Sequence, residues 1–146
     1  GGGGDGSATE AVVAVCASAD GQLVASASGP RVHLWRWRAP PGAPPSASRV
    51  CQLGPHRGEV HAVAMSEDGG LLASAGYGMR VRVWDTASAR CVRLLEGHTL
   101  SVHGVAMSED GARVASCGFD RTVRVWDVVS SDAVAAAAAA EPPASE

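Results

Sequence analysis

Residues 102–127 read VHGVAMSEDGARVASCGFDRTVRVWD, and residues 60–85 read VHAVAMSEDGGLLASAGYGMRVRVWD. The two segments match at a constant offset of 42. A weaker third copy, VVAVCASADGQLVASASGPRVHLWR at residues 12–36, is in register at an offset of 48 until its second turn, where one residue is missing. Similarity at a fixed period of about 40 residues is the mark of a repeat architecture, so three units fill most of the chain.

Each unit alternates short apolar runs with turn signals. The first run leads into Asp-Gly, then come a run of small residues, a second turn and a run ending in Trp. Asp-Gly tolerates the positive backbone angles of a hairpin, so the first two runs should pair antiparallel. A fourth run precedes each later unit, at residues 49–53 and 91–95. Four short antiparallel strands in about 42 residues predict an all-β chain made of β-propeller blades.

The third unit resembles a WD repeat, because its dipeptides, turns and length agree together. The residues that match are Gly97-His98, Ser116, Asp120 and Trp126-Asp127. The second unit has Pro55-His56 in place of Gly-His and Gly78 where the third unit has Asp120. The first unit keeps a Ser and a Trp but has Arg36 after the Trp. The resemblance covers roughly residues 10–132 and is weakest over the first unit.

The resemblance implies a structural hydrogen-bond network inside each blade. In WD repeats a Trp indole, a Ser hydroxyl, a His imidazole and a turn Asp are joined in a chain. The matching residues are Trp126, Ser116, His98 and Asp120 in the third unit, and Trp84, Ser74 and His56 in the second. A buried indole N–H needs an acceptor, and each later donor needs one in turn. Because the second unit lacks the Asp, we expect its network to be completed by water or to be weaker.

The same Ser, His and Asp could be compared with a catalytic triad. A nucleophilic Ser sits exposed on a strained turn, whereas Ser116 lies in a run of small strand residues. Ser74 and His56 repeat the arrangement one unit earlier in the chain, which favours blade construction. The sequence also lacks a paired-carboxylate motif, a metal-ligand cluster and a Gly-rich phosphate loop. We therefore expect no enzymatic activity, no cofactor and no metal.

Candidate partner-binding residues occupy other repeated positions. Tyr77 and Phe119, the single Tyr and the single Phe, occupy the same position of successive units, and His61 and His103 form a second matched pair. The resemblance implies that these places open onto one rim of the ring, where partners dock. The predicted strip is Glu59, His61, Tyr77, Ser101, His103 and Phe119. Aromatic and imidazole rings suit recognition. The alternative is that the aromatic residues shield the turn and the His residues are solvated strand ends.

Charge argues against a nucleic-acid partner. The chain has 12 Lys+Arg against 15 Asp+Glu, a formal net charge of −3, and all 12 are Arg. The absence of Lys excludes Schiff-base chemistry and a P-loop. Four Arg recur near the third strand of the later units, at Arg80, Arg82, Arg121 and Arg124. With so many acids on the same blades, we interpret them as a solvated or acid-paired strand face.

Cysteine spacing and hydropathy give further expectations. Cys16, Cys51, Cys91 and Cys117 lie far apart without a Cys-x-x-Cys pair, so we expect buried, reduced thiols in a cytoplasmic or nuclear protein. The longest uncharged apolar stretch, residues 11–19, is about half the roughly 20 residues of a membrane span. The start has neither an initiating Met nor a recognisable targeting segment. We expect no membrane association.

The predicted organisation is a Gly-rich start at 1–9 and three blades at 10–55, 56–97 and 98–132. A Pro-rich loop at 39–48 interrupts the first blade, either as a surface insertion or as a Pro-rich ligand. The Ala-rich tail at 133–146 could form a poor fourth strand or a frayed helix.

Three blades are too few for a closed propeller, which uses roughly four to eight. The resemblance implies a ring of about seven, so we expect a portion of a longer protein, or a chain that pairs with a second one to close the ring. The function that the resemblance implies is a non-catalytic platform for proteins or peptides. Two alternatives are a substrate receptor in ubiquitin ligation, although the Trp-Asp-x-Arg signature of some such receptors is absent, and the sensor portion of a larger signalling protein.

Overall fold

The computed structural model describes residues 10–128 and the strand at 135–139, and these form three four-stranded antiparallel sheets. Blade 1 consists of β1 (Val12–Ala17), β2 (Leu23–Ser28), β3 (Arg31–Arg38) and β4 (Ser46–Leu53). Blade 2 consists of β5 (Val60–Met65), β6 (Leu71–Gly76), β7 (Val81–Asp85) and β8 (Arg90–Leu95). Blade 3 consists of β9 (Val102–Met107), β10 (Arg113–Gly118), β11 (Thr122–Asp127) and β12 (Ala135–Ala139). The prediction of four-stranded antiparallel blades is confirmed.

Two layers of apolar side chains between the blades form the core. Successive side chains of a strand point to opposite faces of the sheet, so in blade 2 the small Ala73 and Ala75 share one, flat face, whereas Leu72 and Trp84 make the other face bulky. The flat face of blade 2, with Ala73, Ala75 and Val83, packs against the bulky face of blade 3 around Trp126. The flat face of blade 1 packs in the same way around Trp84. Alanine on the flat face lets the sheets approach closely enough to bury an indole ring.

The outer faces of blades 1 and 3 have no such neighbour in the described structure. Val83 is 0% exposed, whereas its repeat counterpart Val125 on blade 3 is 41% exposed. Val63 is 8% exposed, whereas its counterpart Val15 on blade 1 is 66% exposed. The described arc is therefore a partial propeller with two uncovered apolar faces.

The connections between the first and second strands join the blades along one rim. Each has Gly at positive φ, as at Gly21 and Gly69, which fits the prediction from Asp-Gly. The amide of Ala19 donates to the Glu67 carbonyl (2.9 Å), and the amide of Glu67 donates to the Glu109 carbonyl (2.8 Å). Successive blades are thus linked by the same backbone bond at the same turn. We call this side the lower rim.

The structure corrects several expectations from the sequence. β4 begins at Ser46, so the predicted loop at 39–48 is shorter by three residues. Of the two alternatives predicted for the tail, the structure has the strand: β12 pairs with β11 as the fourth strand of blade 3. All four cysteines are free, but Cys91 and Cys117 are exposed, because one lies on an outer strand and the other on the uncovered face of blade 3. The start at 1–9 lies outside the described residues, within which no helix has the length and apolar character of a membrane span.

Truncating equivalent valines on a covered and an uncovered face should have unequal effects. Val83→Ala removes two buried methyl groups and should lower the free energy of unfolding by about 2 kcal/mol. Val125→Ala removes partly exposed methyl groups and should cost less than about 0.5 kcal/mol. Urea unfolding of both variants measures the difference. Equal losses would mean that the blade 3 face is covered in solution.

Candidate functional site

A hydrogen-bonded chain runs through blade 3 from the core to the turn before β11. The indole N–H of Trp126 donates to Ser116 Oγ (2.8 Å), which lies 2.7 Å from His98 Nε2. His98 Nδ1 is 2.8 Å from Asp120 Oδ2. A carboxylate only accepts, so Nδ1 bears the proton and Nε2 accepts from the Ser116 hydroxyl. The structure therefore joins all four predicted residues of this network through consecutive hydrogen bonds.

Asp120 holds the end of this chain and also fixes the surrounding loop. Its carboxylate accepts from the Thr99 amide (3.0 Å), the Thr122 amide (3.1 Å) and the Thr122 hydroxyl (2.7 Å). Burial by itself would raise the pKa of Asp120, but the hydrogen bonds from Thr122, His98 and Thr99 outweigh it and hold the pKa far below its ordinary value. The side chain is 5% exposed. Asp120 is therefore an ionised anchor for the turn.

Blade 2 completes its network with a backbone carbonyl from blade 1. Trp84 Nε1 donates to Ser74 Oγ (2.8 Å), and His56 Nε2 lies 2.6 Å from the same oxygen. His56 Nδ1 is 2.9 Å from the Pro30 carbonyl oxygen, which also accepts from the His56 amide (2.7 Å). The prediction that water completes this network is wrong, and the alternative, a weaker network, stays a prediction. The acceptor that Gly78 cannot supply comes from the neighbouring blade.

Neither Ser is placed as a nucleophile. Ser116 is 2% exposed and Ser74 is 0% exposed, and each hydroxyl is held between an indole and an imidazole. A substrate carbonyl has no route to either oxygen. Both Ser–His pairs have the geometry of internal polar networks that satisfy a buried Trp.

His61 and His103 lie at equivalent β-bulges on the side opposite the lower rim. We call this side the upper rim. The register of β5 with β6 shifts between Val60 and Ala62, and that of β9 with β10 shifts in the same place around His103. A β-bulge turns a side chain away from its normal face of the sheet. Val13 occupies the matching bulge of blade 1 and brings no ring. The two imidazoles are thus placed by a repeated backbone irregularity.

Four neighbouring rings lie in a row across the boundary between blades 2 and 3, and we call this row the ring stack. The imidazoles of His61 and His103 are stacked with centroids 4.6 Å apart and planes at 19°. Phe119 stacks on His103 at 3.9 Å, and Tyr77 lies tilted against His61 at 6.4 Å. Tyr77 is 67% exposed and Phe119 is 65% exposed. The structure therefore joins four residues of the predicted strip into one exposed surface.

The other two residues of the strip act through the backbone. The Glu59 carbonyl accepts from the Tyr77 amide (2.9 Å), and the Ser101 carbonyl accepts from the Phe119 amide (3.0 Å). These equivalent bonds fix the backbone of Tyr77 and of Phe119 beside the bulges. Gly29 in blade 1 leaves the same position without a ring.

A groove of about 570 Å³ lies beside Tyr77 and was not predicted from the sequence. Its walls include Arg57, Met79 and the exposed ion pair between Arg80 and Glu96 (3.0 Å). The interpretation of the recurrent Arg residues as acid-paired holds for Arg80. Arg124 differs, because its Nε is buried without a hydrogen-bond partner among the described residues. The sequence analysis singled out Tyr77, Arg80 and His98 in this region, but each for a different reason and none for a groove.

Sequence comparison finds the same three units. The family model "WD domain, G-beta repeat" matches residues 4–36, 47–85 and 89–127, which is most of the chain. The chain belongs to the WD40-repeat family. A relative with the same repeats is F-box/WD repeat-containing protein 10 of Mus musculus, which is 31% identical over 78 residues. That match covers 53% of this chain and 7% of the mouse protein.

The fold of these WD40 repeats matches that of a solved structure, U3-55K. The TM-score is 0.73 at 22% identity, over 86% of this chain and 38% of the U3-55K chain. The chain therefore spans less than half the length of either protein. Within the part that the structure describes, no three His, Cys, Asp or Glu side chains are grouped so that they could hold a metal ion.

Removing the carboxylate of Asp120 should destabilise blade 3. Asp120→Ala leaves His98, Thr99 and Thr122 without their acceptor, so we expect a loss of roughly 2 kcal/mol and a Tm several degrees lower. Thermal unfolding followed by circular dichroism measures this. Asp110→Ala, which removes an exposed turn carboxylate, is the control and should cost less. An unchanged Tm together with loss of partner binding would overturn the structural role of Asp120.

The stability of blade 2 should fall at mildly acidic pH. Burial lowers the pKa of His56 below its ordinary value of 6.5, the Pro30 bond raises it in part, and Arg82 lowers it further. The unfolded chain thus binds this proton more readily, so stability is complete above about pH 6.5 and falls below it. The pKa of His33, lowered by burial and by Arg49 and Arg31, adds to the same trend.

His56→Gln should therefore make unfolding less pH-dependent. The measurement is the difference in unfolding free energy between about pH 7.5 and 5.5, compared in the parent chain and the variant. Asp120 adds nothing in this window, because its contribution is lost only below its ordinary value of 3.8. An identical pH dependence in both proteins would contradict the assignment to His56.

Proposed function

We propose that this chain is a non-catalytic scaffold that binds protein partners through the strip on its upper rim. The single observation that supports this most is the exposed stack of Tyr77, His61, His103 and Phe119. Large rigid rings lose little side-chain entropy on binding and bury much area, which is why aromatic residues dominate interface energetics.

The surroundings of the stack fit a protein partner. Two more apolar side chains, Met79 and Leu100, are 43% and 51% exposed on loops of the same rim. Charged groups flank this apolar centre, with Arg57 on one side and the Arg80–Glu96 pair beside it. An apolar centre with a polar margin is the usual anatomy of a protein interface.

A role without chemistry is supported by the family and by the site. WD40 propellers are generally scaffolds, and the two Ser–His pairs are buried against Trp rings. We infer that the partners are proteins or peptides rather than nucleic acids or membranes, and that the chain acts in the cytoplasm or nucleus. Further blades, from the same longer protein or a second chain, would cover the outer faces of blades 1 and 3.

A second candidate is a substrate receptor in ubiquitin ligation. It is favoured by the similarity to a mouse protein whose name joins an F-box to WD repeats. Against it, Trp84-Asp85 is followed by Thr86-Ala87, without the Arg of the Trp-Asp-x-Arg signature. A third candidate, the sensor portion of a larger signalling protein, places any catalytic domain outside these blades. Recovery of ligase subunits with the captured partner would favour the second candidate.

Replacing two rings of the stack should abolish partner binding without unfolding the chain. The variant His103→Ala/Phe119→Ala removes the stacked pair at the exposed end, and we expect at least a ten-fold weaker affinity for partners captured by the parent chain. Circular dichroism should be unchanged. Val92→Ala on β8, an exposed apolar position outside the strip, is the matched control.

A crosslinking experiment locates the contact directly. With p-benzoylphenylalanine in place of Phe119, a bound partner should be crosslinked on illumination, whereas the same group in place of Val92 should give no product. Retained affinity in the double variant, together with crosslinks only from position 92, would refute the rim assignment.

A further inference from the structure

The hairpin of β3 and β4 in blade 1 projects beyond the lower rim. β3 has 8 residues, whereas the equivalent strands β7 and β11 have 5 and 6. The repeat ends its third strand at Asp85 in blade 2, whose counterpart in blade 1 is Arg36. Beyond that point β3 and β4 continue to pair, with Trp37 opposite Ala47 and Arg38 opposite Ser46.

Trp37 differs from the other Trp residues of the chain. Trp35, Trp84 and Trp126 each donate their indole N–H to a Ser of the same blade. Trp37 is 43% exposed, and its indole makes no hydrogen bond within the described residues. Exposing the apolar area of an indole to water is unfavourable, and its N–H is free to donate to a ligand, so an exposed Trp is a frequent anchor of interfaces.

The extension is also positively charged. Between Asp20 and Glu59 the sequence contains five Arg and no acid, although the chain as a whole is negative. Arg36 and Arg38 flank Trp37 in the sequence and are exposed. Among the described residues neither guanidinium lies within the 4.0 Å of an ion pair, although Asp20 attracts Arg36 from a longer distance. Concentrated charge of one sign beside an exposed Trp is complementary to an acidic, partly apolar ligand.

A groove gives this surface its shape. It has a volume of about 630 Å³ and lies between the hairpin and the β1–β2 turn, lined in part by Gln22, Arg36, Trp37 and Arg38. The amide of Trp37 donates to the Gln22 carbonyl (2.7 Å), which ties the hairpin to the turn. Asp20 also lines the groove and attracts Arg36 electrostatically. Its carboxylate accepts hydrogen bonds from Ser18 Oγ (2.6 Å) and the Gln22 amide (2.9 Å). Its hydrogen bonds are therefore directed into the turn.

We propose that the projecting hairpin is a second protein-binding site, which takes an extended acidic peptide segment containing a bulky apolar side chain. Carboxylates of the peptide pair with Arg36 and Arg38, and the apolar side chain packs on Trp37. The site lies on the lower rim, opposite the ring stack, so both surfaces can be occupied at once. A single-stranded nucleic acid fits less well, because it needs a longer cationic track and successive stacking rings.

The test uses the full chain and a fluorescein-labelled peptide of about twelve residues in which pairs of Glu alternate with Leu. Fluorescence anisotropy should show saturable binding that weakens as salt is raised. Arg36→Glu/Arg38→Glu should weaken it more than about ten-fold, and Trp37→Ala about ten-fold. Arg90→Glu/Arg113→Glu changes net charge by the same amount on other blades and should leave the affinity unchanged.

Several results would overturn the proposal. They are absence of binding, equal weakening in both charge-reversal variants, and binding of a uridine oligonucleotide of matched charge more tightly than the peptide. A peptide with Gln in place of Glu that binds as well as the acidic one would also contradict it. Because Trp37→Ala could disturb the hairpin, Trp37→Phe is the second variant and should retain most of the affinity. The upper-rim variant His103→Ala/Phe119→Ala should bind the peptide normally, which keeps the two sites separable.

Discussion

The structure depends on burying an indole ring between two sheets without leaving its N–H unpaired. Each blade meets this constraint with a Ser on the neighbouring strand, and blades 2 and 3 add a His that connects the Ser to the rim. The ring fixes the distance between blades, and the Ser fixes the register of the strand that faces it. In blades 2 and 3 that ring packs on the flat, Ala-rich face of the preceding blade. The hydrogen bond from indole to Ser is present in all three blades, and in blades 2 and 3 it is combined with packing of the ring between two sheets.

Much of this was predictable because the period of the sequence is the period of the structure. A constant offset of 42 puts Ser116 in the position of Ser74 and Trp126 in the position of Trp84. The strand pattern of one unit therefore predicts that of the next. The rim was also accessible to sequence reasoning, since single aromatic residues recur at the same turn position and the resemblance to WD repeats implies that this position lies on a rim. The stacking of His61 on His103 was not, because it depends on bulges that bring side chains of different blades together.

The failures have physical causes of the same kind. No local pattern indicates that the Pro30 carbonyl would replace a missing Asp, because the contact joins residues 26 positions apart, one in the β2–β3 turn and the other in the segment before β5. The length of β4 was underestimated because Ser46, Ala47 and Ser48 have low strand propensity and adopt a strand only by pairing with β3. For the run of Ala at 135–139, propensity alone left a strand and a helix open; β11 decides for the strand, because it offers an open edge.

The hydrogen bond between His56 and the Pro30 carbonyl couples blade 2 to blade 1 in a way that blade 3 is not coupled to blade 2. In a chain of repeats, stability is approximately a sum of the repeats and their interfaces. Blade 3 closes its polar chain on its own Asp120, so it can keep that chain when a neighbour opens. Blade 2 closes its chain on blade 1, so detachment of blade 1 leaves the imidazole of His56 without an acceptor and loosens Ser74 and Trp84 in turn. Blades 1 and 2 thus open as one unit. Amide hydrogen exchange in blade 2 therefore depends on the stability of blade 1, although blade 1 is the repeat that departs most from the WD pattern.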